Sequence, residues 1–319
     1  MAAIEAARQR VAGRVLRTDI VPSATLRDAT GAPILLKREN RQTTGSFKLR
    51  GATNAVLTLP PEARTHGLVT VSTGNHGRAV AHAAAAEGLR CVVCLSNLVP
   101  QNKRDAIRAE GAELRIVGRS QDDAQEEADR LVATEGLTLI PPFDDPAVIA
   151  GQGTLGLEIA EDVPDLALVL VQLSGGGLAA GVATAVKARH PAARVIGVSM
   201  ARGAAMQASL LAGHPVAVEE EPTLADSLGG GIGLENRYTF AMVRDLLDGV
   251  VVLEEAEIAA GIRHAFRVEG ETLEGGGAVT IAALLAGKVA PAGRTVAILS
   301  GGNIDPELHR RVLDGADAP

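Results

Sequence analysis

The chain has 319 residues, 46% hydrophobic and 2% aromatic, with no tryptophan and a formal net charge of -7. That length supports one large domain or two modest ones with a buried core. Scattered basic residues and scarce aromatics exclude a nucleic-acid-binding stripe, and no apolar run approaches a membrane span.

The start, Met1-Ala2-Ala3-Ile4-Glu5, mixes acid and apolar residues and does not read as a secretory leader, so the expected compartment is the cytoplasm. Residues Ile4 to Val15 have the pattern of a short amphipathic helix, Ile34 to Lys37 of a strand, and Phe47 to Leu59 of a helix that Pro60-Pro61 breaks. From Leu68 the pattern becomes βαβ. Strands are expected at 68–71, 91–95, 112–117 and 137–140, with helices at 78–87, 100–111 and 121–135 between them. Alternation of this kind implies parallel strands with right-handed crossovers, so residues 53–146 read as a small α/β domain within the chain. Pro141-Pro142-Phe143-Asp144-Asp145-Pro146 interrupts the pattern. A second βα series follows, with strands at 168–173, 194–198 and 295–299 and helices at 178–189, 256–269 and 278–286.

The two cysteines, Cys91 and Cys94, form a C-x-x-C within an apolar strand. Residues three apart on a strand point to opposite faces, so the expectation is two core thiols in a reducing compartment, not a redox pair or metal clip.

Lys48 stands in Thr44-Gly45-Ser46-Phe47-Lys48-Leu49-Arg50-Gly51-Ala52. A lysine acts as a covalent catalyst when its charge is disfavoured, because the free amine is the nucleophile. An apolar Phe47 and a small turn before it suit that, although most lysines are solvated surface charges. Ser174-Gly175-Gly176-Gly177 joins a strand to a helix, where backbone N–H groups and the helix N-terminus attract an anion. Gly175-x-Gly177-x-x-Ala180 meets the loose dinucleotide fingerprint, but Val198-Ser199-Met200 lacks the acidic residue a ribose needs. Gly287-Lys288-Val289 fails as a P-loop, so a lone phosphate monoester fits better. Ser72-Thr73-Gly74-Asn75-His76-Gly77 is a second strand-to-helix turn, able to hold a carboxylate, with Asn75 as a donor to an oxyanion. Ser300, ending the last strand, offers a hydroxyl to a ring nitrogen, and Glu274 reads as a buried acid or a helix-end charge.

In sequence order these segments resemble the threonine/serine dehydratase group of pyridoxal-phosphate enzymes, fold type II. Lys37-Arg38-Glu39 through Gly51-Ala52 is similar to that family's cofactor-lysine motif. The resemblance implies a tryptophan synthase β-like α/β fold of two open, twisted, mostly parallel sheets flanked by helices. It divides the chain into a large domain (1–52 plus 147–319) and a small one (53–146), without a C-terminal regulatory domain. It makes Lys48 the Schiff-base lysine and Ser72, Thr73, Gly74, Asn75 and His76 the substrate-carboxylate loop. Phe47, Asn75, Ser174, Gly175, Gly176, Gly177, Leu178, Glu274 and Ser300 become cofactor contacts. Thr73 stands where the family has alanine or serine, the place of a racemase's second acid/base, and is carried with Lys48 as a catalytic candidate. Ser174 replaces the first glycine of a tetraglycine cup, and Val198 to Gly203 lacks the acids of metal-dependent members, so no metal is expected. Pro142 to Pro146 and Ala150 to Thr154 are also similar to family stretches. Leu224 to Gly233 and the triglycine after Glu274 resemble the dehydratase subgroup tied to hydroxyectoine utilisation. The implied activity is β-elimination of a β-hydroxy amino acid such as L-threonine or L-serine, in a homodimer with pyridoxal 5'-phosphate.

Overall fold

A computed structural model describes residues 1–72 and 74–319; Thr73, the catalytic candidate in the carboxylate loop, lies outside the described residues. Among the described residues, ten strands form two sheets. The larger contains β1 (Ile20–Ser23), β2 (Ile34–Lys37), β7 (Leu166–Gln172), β8 (Arg194–Met200), β9 (Gly249–Leu253) and β10 (Arg294–Ile298), and the smaller β3 (Leu68–Val71), β4 (Cys91–Leu95), β5 (Glu113–Ile116) and β6 (Thr138–Leu139). Their orders are β1-β2-β10-β7-β8-β9 and β5-β4-β3-β6. Every neighbouring pair is parallel except the edge pair β1–β2. The expected pair of mostly parallel sheets is therefore observed.

Aliphatic runs such as Leu166–Gln172 make strands that can be buried on both faces, and helices cover both. One face of the larger sheet packs on the helices Glu255–Arg267 and Gly275–Leu285, the other on Gly177–Arg189. The smaller sheet has its own two clusters. Cys91 belongs to one and Cys94 to the other, so the thiols do face opposite ways; both are free and buried. Burial pushes Cys91 up to about 12 and Cys94 up to about 11, which keeps them as inert thiols.

Several elements lack a counterpart in the sequence reading. The helix Pro146–Asp162 is buried along nearly its whole length, and Asp145 caps it by accepting from the N–H groups of Ala147 and Val148. Asp144, remote in the chain, anchors the start of the helix Thr239–Leu246 by accepting from the N–H groups of Arg237, Tyr238 and Thr239. The proline-rich break at 141–146 is thus a junction that starts two helices. The first helix ends at Val11 instead of Val15, and the helix after Gly74 begins at Asn75 instead of Arg78.

Beneath the lysine segment lies a buried ion network. Arg50, on the helix Lys48–Thr58, bonds Glu39 (2.8 Å) and Glu158 (2.7 Å), and Lys37 bonds Glu158 (2.5 Å) and the Thr18 carbonyl (2.7 Å). Arg50, Lys37 and Glu39 are all 0% exposed. The network fixes the helix that begins at Lys48 against β2 and the helix Pro146–Asp162.

Candidate active site

The carboxyl ends of β3, β7 and β10 open into one cleft of about 1130 Å³. This is where ligands collect in open parallel sheets. Phe47, Lys48, Ser72, Gly74, Asn75, His76, Ser174, Gly175, Gly176, Gly177, Leu178, Glu274 and Ser300 all line it. Apart from Thr73, every site residue singled out in the sequence therefore reaches the same cavity.

Lys48 is the first residue of its helix. Its segment is stitched to the end of β10: Phe47 N–H donates to the Ser300 carbonyl (2.9 Å) and Gly302 N–H to the Gly45 carbonyl (2.9 Å). The Lys48 amine donates to the Pro142 carbonyl at 2.8 Å and lies 5.5 Å from the centre of the Phe47 ring. Burial disfavours its charge and pulls its pKa from 10.5 down to about 8, against an opposing attraction from Glu274. An amine so poised is a nucleophile near neutral pH.

Ser174 to Gly177 leads into the helix Gly177–Arg189, whose N-terminus no side chain caps. Gly176 has φ of 89°, and a Cβ on Gly175 would lie 2.3 Å from the Phe143 ring. Phe143 is thus packed directly against a backbone that only glycine allows there. Uncapped N–H groups without side chains above them suit a phosphate. The sequence flagged Phe143 only as part of a similar stretch, because its partner is 32 positions away in the chain.

Asn75 opens the helix Asn75–Ala86, its Nδ2 donating to Glu274 Oε1 at 2.6 Å and its Oδ1 accepting from Asn303 Nδ2 at 2.6 Å. Glu274 is 6% exposed, so it is the buried acid and not a solvated helix end. Burial, reinforced by Asp226, pushes its pKa up to about 7, against hydrogen bonds from Ser227 and Asn75. The His76 ring faces inward: Nε2 lies 3.0 Å from the Ile140 carbonyl, and burial with the nearby Lys48 charge lowers its pKa to about 3. His76 is therefore neutral, and only its backbone N–H remains for the carboxylate role expected of it. Ser72 Oγ accepts from Gly74 N–H at 3.2 Å. Ser300 is buried at the end of β10.

Residues missed in the sequence complete the site. Arg78 and Asn303 join the Asn75 helix to the end of β10 by a 2.6 Å bond. Lys103 pairs with Asp226 (2.5 Å) and Asn102 with Asp305 (2.6 Å), linking the helix Gln101–Ala109 to the segments around residues 226 and 305. No local signal marks such partners.

An amine with a lowered pKa, a bare glycine turn for a phosphate and a buried hydroxyl share one cleft, and this donor set fits pyridoxal 5'-phosphate. The family model for pyridoxal-phosphate dependent enzymes matches residues 11–301. The chain is 61% identical over 313 residues to a Sinorhizobium fredii protein provisionally named threonine dehydratase, covering 98% of this chain and 94% of that one. It is 42% identical over 312 residues to an L-threonine ammonia-lyase of Geobacter sulfurreducens, covering 98% and 77%. Among solved structures, maize serine racemase superposes with a TM-score of 0.92 at 30% identity, covering 98% of this chain and 96% of that chain. The processed form of threonine deaminase isoform 2 from Solanum lycopersicum gives 0.90 at 36%, covering 98% and 86%. Fold, cleft and relatives agree, and the chain belongs to the pyridoxal-phosphate dependent enzymes.

Proposed function

We propose that the protein is a lyase that deaminates a β-hydroxy amino acid, L-threonine or L-serine, to a 2-oxo acid and ammonia. The observation that carries this reading is the Lys48 amine: part-buried, lowered to about 8, and in the same cleft as the uncapped glycine turn. The names of the relatives at 42% and 61% identity support the substrate class.

When bound, pyridoxal phosphate supplies an aldehyde that a lysine amine can capture and a ring that takes up the charge left at an amino acid's α-carbon. Lys48 would be the residue that holds it, and its free amine would be the base placed where the α-proton leaves. Ser174 to Leu178 hold the phosphate, and Phe47 flanks the lysine. Asn75, with Glu274 behind it, would donate to the cofactor's ring oxygen. Ser300 would offer the ring nitrogen a neutral hydroxyl, which would keep the electron sink moderate and favour loss of the β-hydroxyl over transamination. Ser72 to His76 hold the substrate carboxylate. Loss of water leaves an enamine that hydrolyses to the 2-oxo acid and ammonia. The part formed by residues 53–146 closes over residues 1–52 and 147–319 to exclude water, with Lys103–Asp226 as one of its contacts. A homodimer in the cytoplasm is the expected form, and sedimentation of the purified protein tests the assembly.

A second reading is supported by the loop 226–233, which lines the same cleft and belongs to the stretch that resembles the dehydratase subgroup tied to hydroxyectoine utilisation, so a hydroxyectoine-derived amino acid is the alternative substrate. The deciding experiment is a screen of L-threonine, L-serine, 3-hydroxyaspartate and hydroxyectoine derivatives, reading ammonia, 2-oxo acid and product chirality. Ammonia from none of them sinks the lyase reading; chirality change without ammonia makes the protein a racemase.

A further inference from the structure

Asn303 sits where three chain segments meet. Its Nδ2 donates to the Thr44 carbonyl at 2.9 Å and to Asn75 Oδ1 at 2.6 Å, and its Oδ1 accepts from Arg78 Nη1 at 2.6 Å. The Thr44 carbonyl belongs to the lysine segment, Arg78 and Asn75 to the helix across the cleft. Gly45, with φ of 76°, comes so close that a Cβ there would lie 2.4 Å from Asn303 Oδ1.

The two ends of a side-chain amide have nearly the same shape, so partners decide which way it points. Here they leave no choice. A carbonyl can only accept and a guanidinium can only donate, so Thr44 and Arg78 together admit one orientation of Asn303. That orientation presents an N–H to Asn75, and Asn75 must answer with its oxygen. Its remaining end, Nδ2, is then turned toward Glu274 and the cleft. A constraint that begins at Arg78 and Thr44 thus ends as a donor at the site. Glu274 reinforces the same sense from the other side whenever it is ionised.

We propose that Asn303 is a positioning residue for the cofactor: it locks the Asn75 amide with its N–H toward the cleft, so that Asn75 recognises only an acceptor oxygen. This rests on the reading that pyridoxal phosphate occupies the cleft with a ring oxygen toward Asn75. The consequence is directional. Without Asn303 the Asn75 amide keeps only Glu274 to orient it, and whenever Glu274 is protonated the amide is free to turn over and present an oxygen to an oxygen.

The test uses the full chain, stripped of cofactor and titrated with pyridoxal 5'-phosphate, in five forms: wild type, Asn75→Ala, Asn303→Ala, the double variant and Asn303→Asp. Affinity, visible absorption maximum and melting temperature are read for each. Asn75→Ala and Asn303→Ala are each expected to weaken cofactor binding about tenfold, roughly one hydrogen bond's worth. They should shift the absorption maximum in the same direction. Because Asn303 acts through Asn75, the double variant should be no weaker than the worse single one. Asn303→Asp keeps an acceptor for Arg78 but cannot donate to Asn75 or Thr44, so it should lose at least as much affinity as Asn303→Ala. Should Asn303→Ala fail to fold, Asn303→Asp and Asn75→Ala carry the comparison by their shared spectral shift. Losses that simply add in the double variant overturn the proposal. So does an Asn303→Asp protein that binds the cofactor with wild-type affinity and spectrum. A wild-type protein that leaves the pyridoxal phosphate spectrum unchanged defeats the cofactor reading itself, and this proposal with it.

Discussion

The amine of Lys48 donates to the carbonyl of Pro142 across a gap of 94 residues. This single bond ties the start of the lysine helix to the turn that carries Phe143, and Phe143 in turn lies under the glycine turn. One short proline-rich segment therefore sets both the start of the lysine helix and the glycine turn, the two places proposed to hold the ends of the cofactor. The lowered pKa of Lys48 gives a direct prediction. Only the neutral amine captures an aldehyde, so the rate at which cofactor-free protein takes up pyridoxal phosphate should rise about tenfold per pH unit below about 8 and level off above it. Stopped-flow absorbance across pH 6 to 10 measures this. A rate that keeps climbing to pH 10 would mean an ordinary, solvated lysine. Lys48→Ala should abolish both the visible band of the bound cofactor and turnover.

Glu274 gives a stability that falls with pH. Its folded pKa is about 7, above the ordinary 4.5, because burial and then Asp226 disfavour its charge. Below pH 4.5 the carboxyl is protonated folded or unfolded, and no penalty exists. Between 4.5 and 7 the unfolded chain ionises first, so folding loses stability progressively, by about 3 kcal/mol once above 7. Glu274→Gln can still accept from Asn75 through its Oε1 and carries no charge. Calorimetry of cofactor-free protein should find the variant equal to wild type near pH 4.5 and more stable at pH 8. Equal stability at both pH values would place Glu274 in contact with water.

How far the sequence could be read depended on the range of each interaction. Strands 68–71, 91–95 and the helix 121–135 were legible because their apolar periodicity is a local consequence of burial. The helix Pro146–Asp162 was not: Gly151, Gly153 and Gly156 weaken a helical pattern in the sequence, but they permit close packing of helix backbones, and Gly151 lies against the Arg50 carbonyl. The edge strand Ile20–Ser23 is four residues long and contains Pro22, which hid it. In the site, Lys48, Ser174–Gly177 and Ser300 carried their chemistry in their own segments. Arg78, Asn303 and Phe143 did not, because what each does depends on a partner that only folding supplies.

Gly176 is the residue of the proposed phosphate turn whose own backbone conformation calls for glycine. Its φ of 89° strains any side chain, and a Cβ there would lie 2.9 Å from both Met206 Cε and Thr239 Cβ. Gly176→Ala should cost about 1–3 kcal/mol in stability from backbone strain alone. It should also weaken pyridoxal phosphate binding, since the turn cannot keep its N–H groups in place. Urea denaturation gives the first number and cofactor titration the second. A variant of native stability and affinity would show that the turn adapts freely and does not act as a fixed anion cradle.

The buried ion network makes the last prediction. Burial alone would push Glu39 up, but Arg50 together with Lys37 and the Thr18 hydroxyl outweighs it, so its carboxyl titrates below the ordinary 4.5, while burial lowers Lys37. Glu39 and Glu158 share Arg50; Lys37 pairs directly with Glu158 and reaches Glu39 only through its charge at longer range. Arg50→Met removes the shared cation and leaves Glu39, 0% exposed, without an ionic partner at its carboxyl. Breaking a buried pair from one side costs about 3–5 kcal/mol, more than the pair itself contributes, because the stranded charge stays out of water. Pairing both changes, Arg50→Met with Glu39→Gln, removes the stranded charge and should recover part of that loss. The sign with pH follows from the direction at Glu39: the stability from its depressed pKa is present above 4.5 and fades as pH falls through the folded value. Denaturant midpoints of wild type, the single and the double variant at pH 7 decide the matter. A single variant as stable as wild type would mean that water reaches Glu39 beneath the lysine helix, and that the helix is not held by these charges.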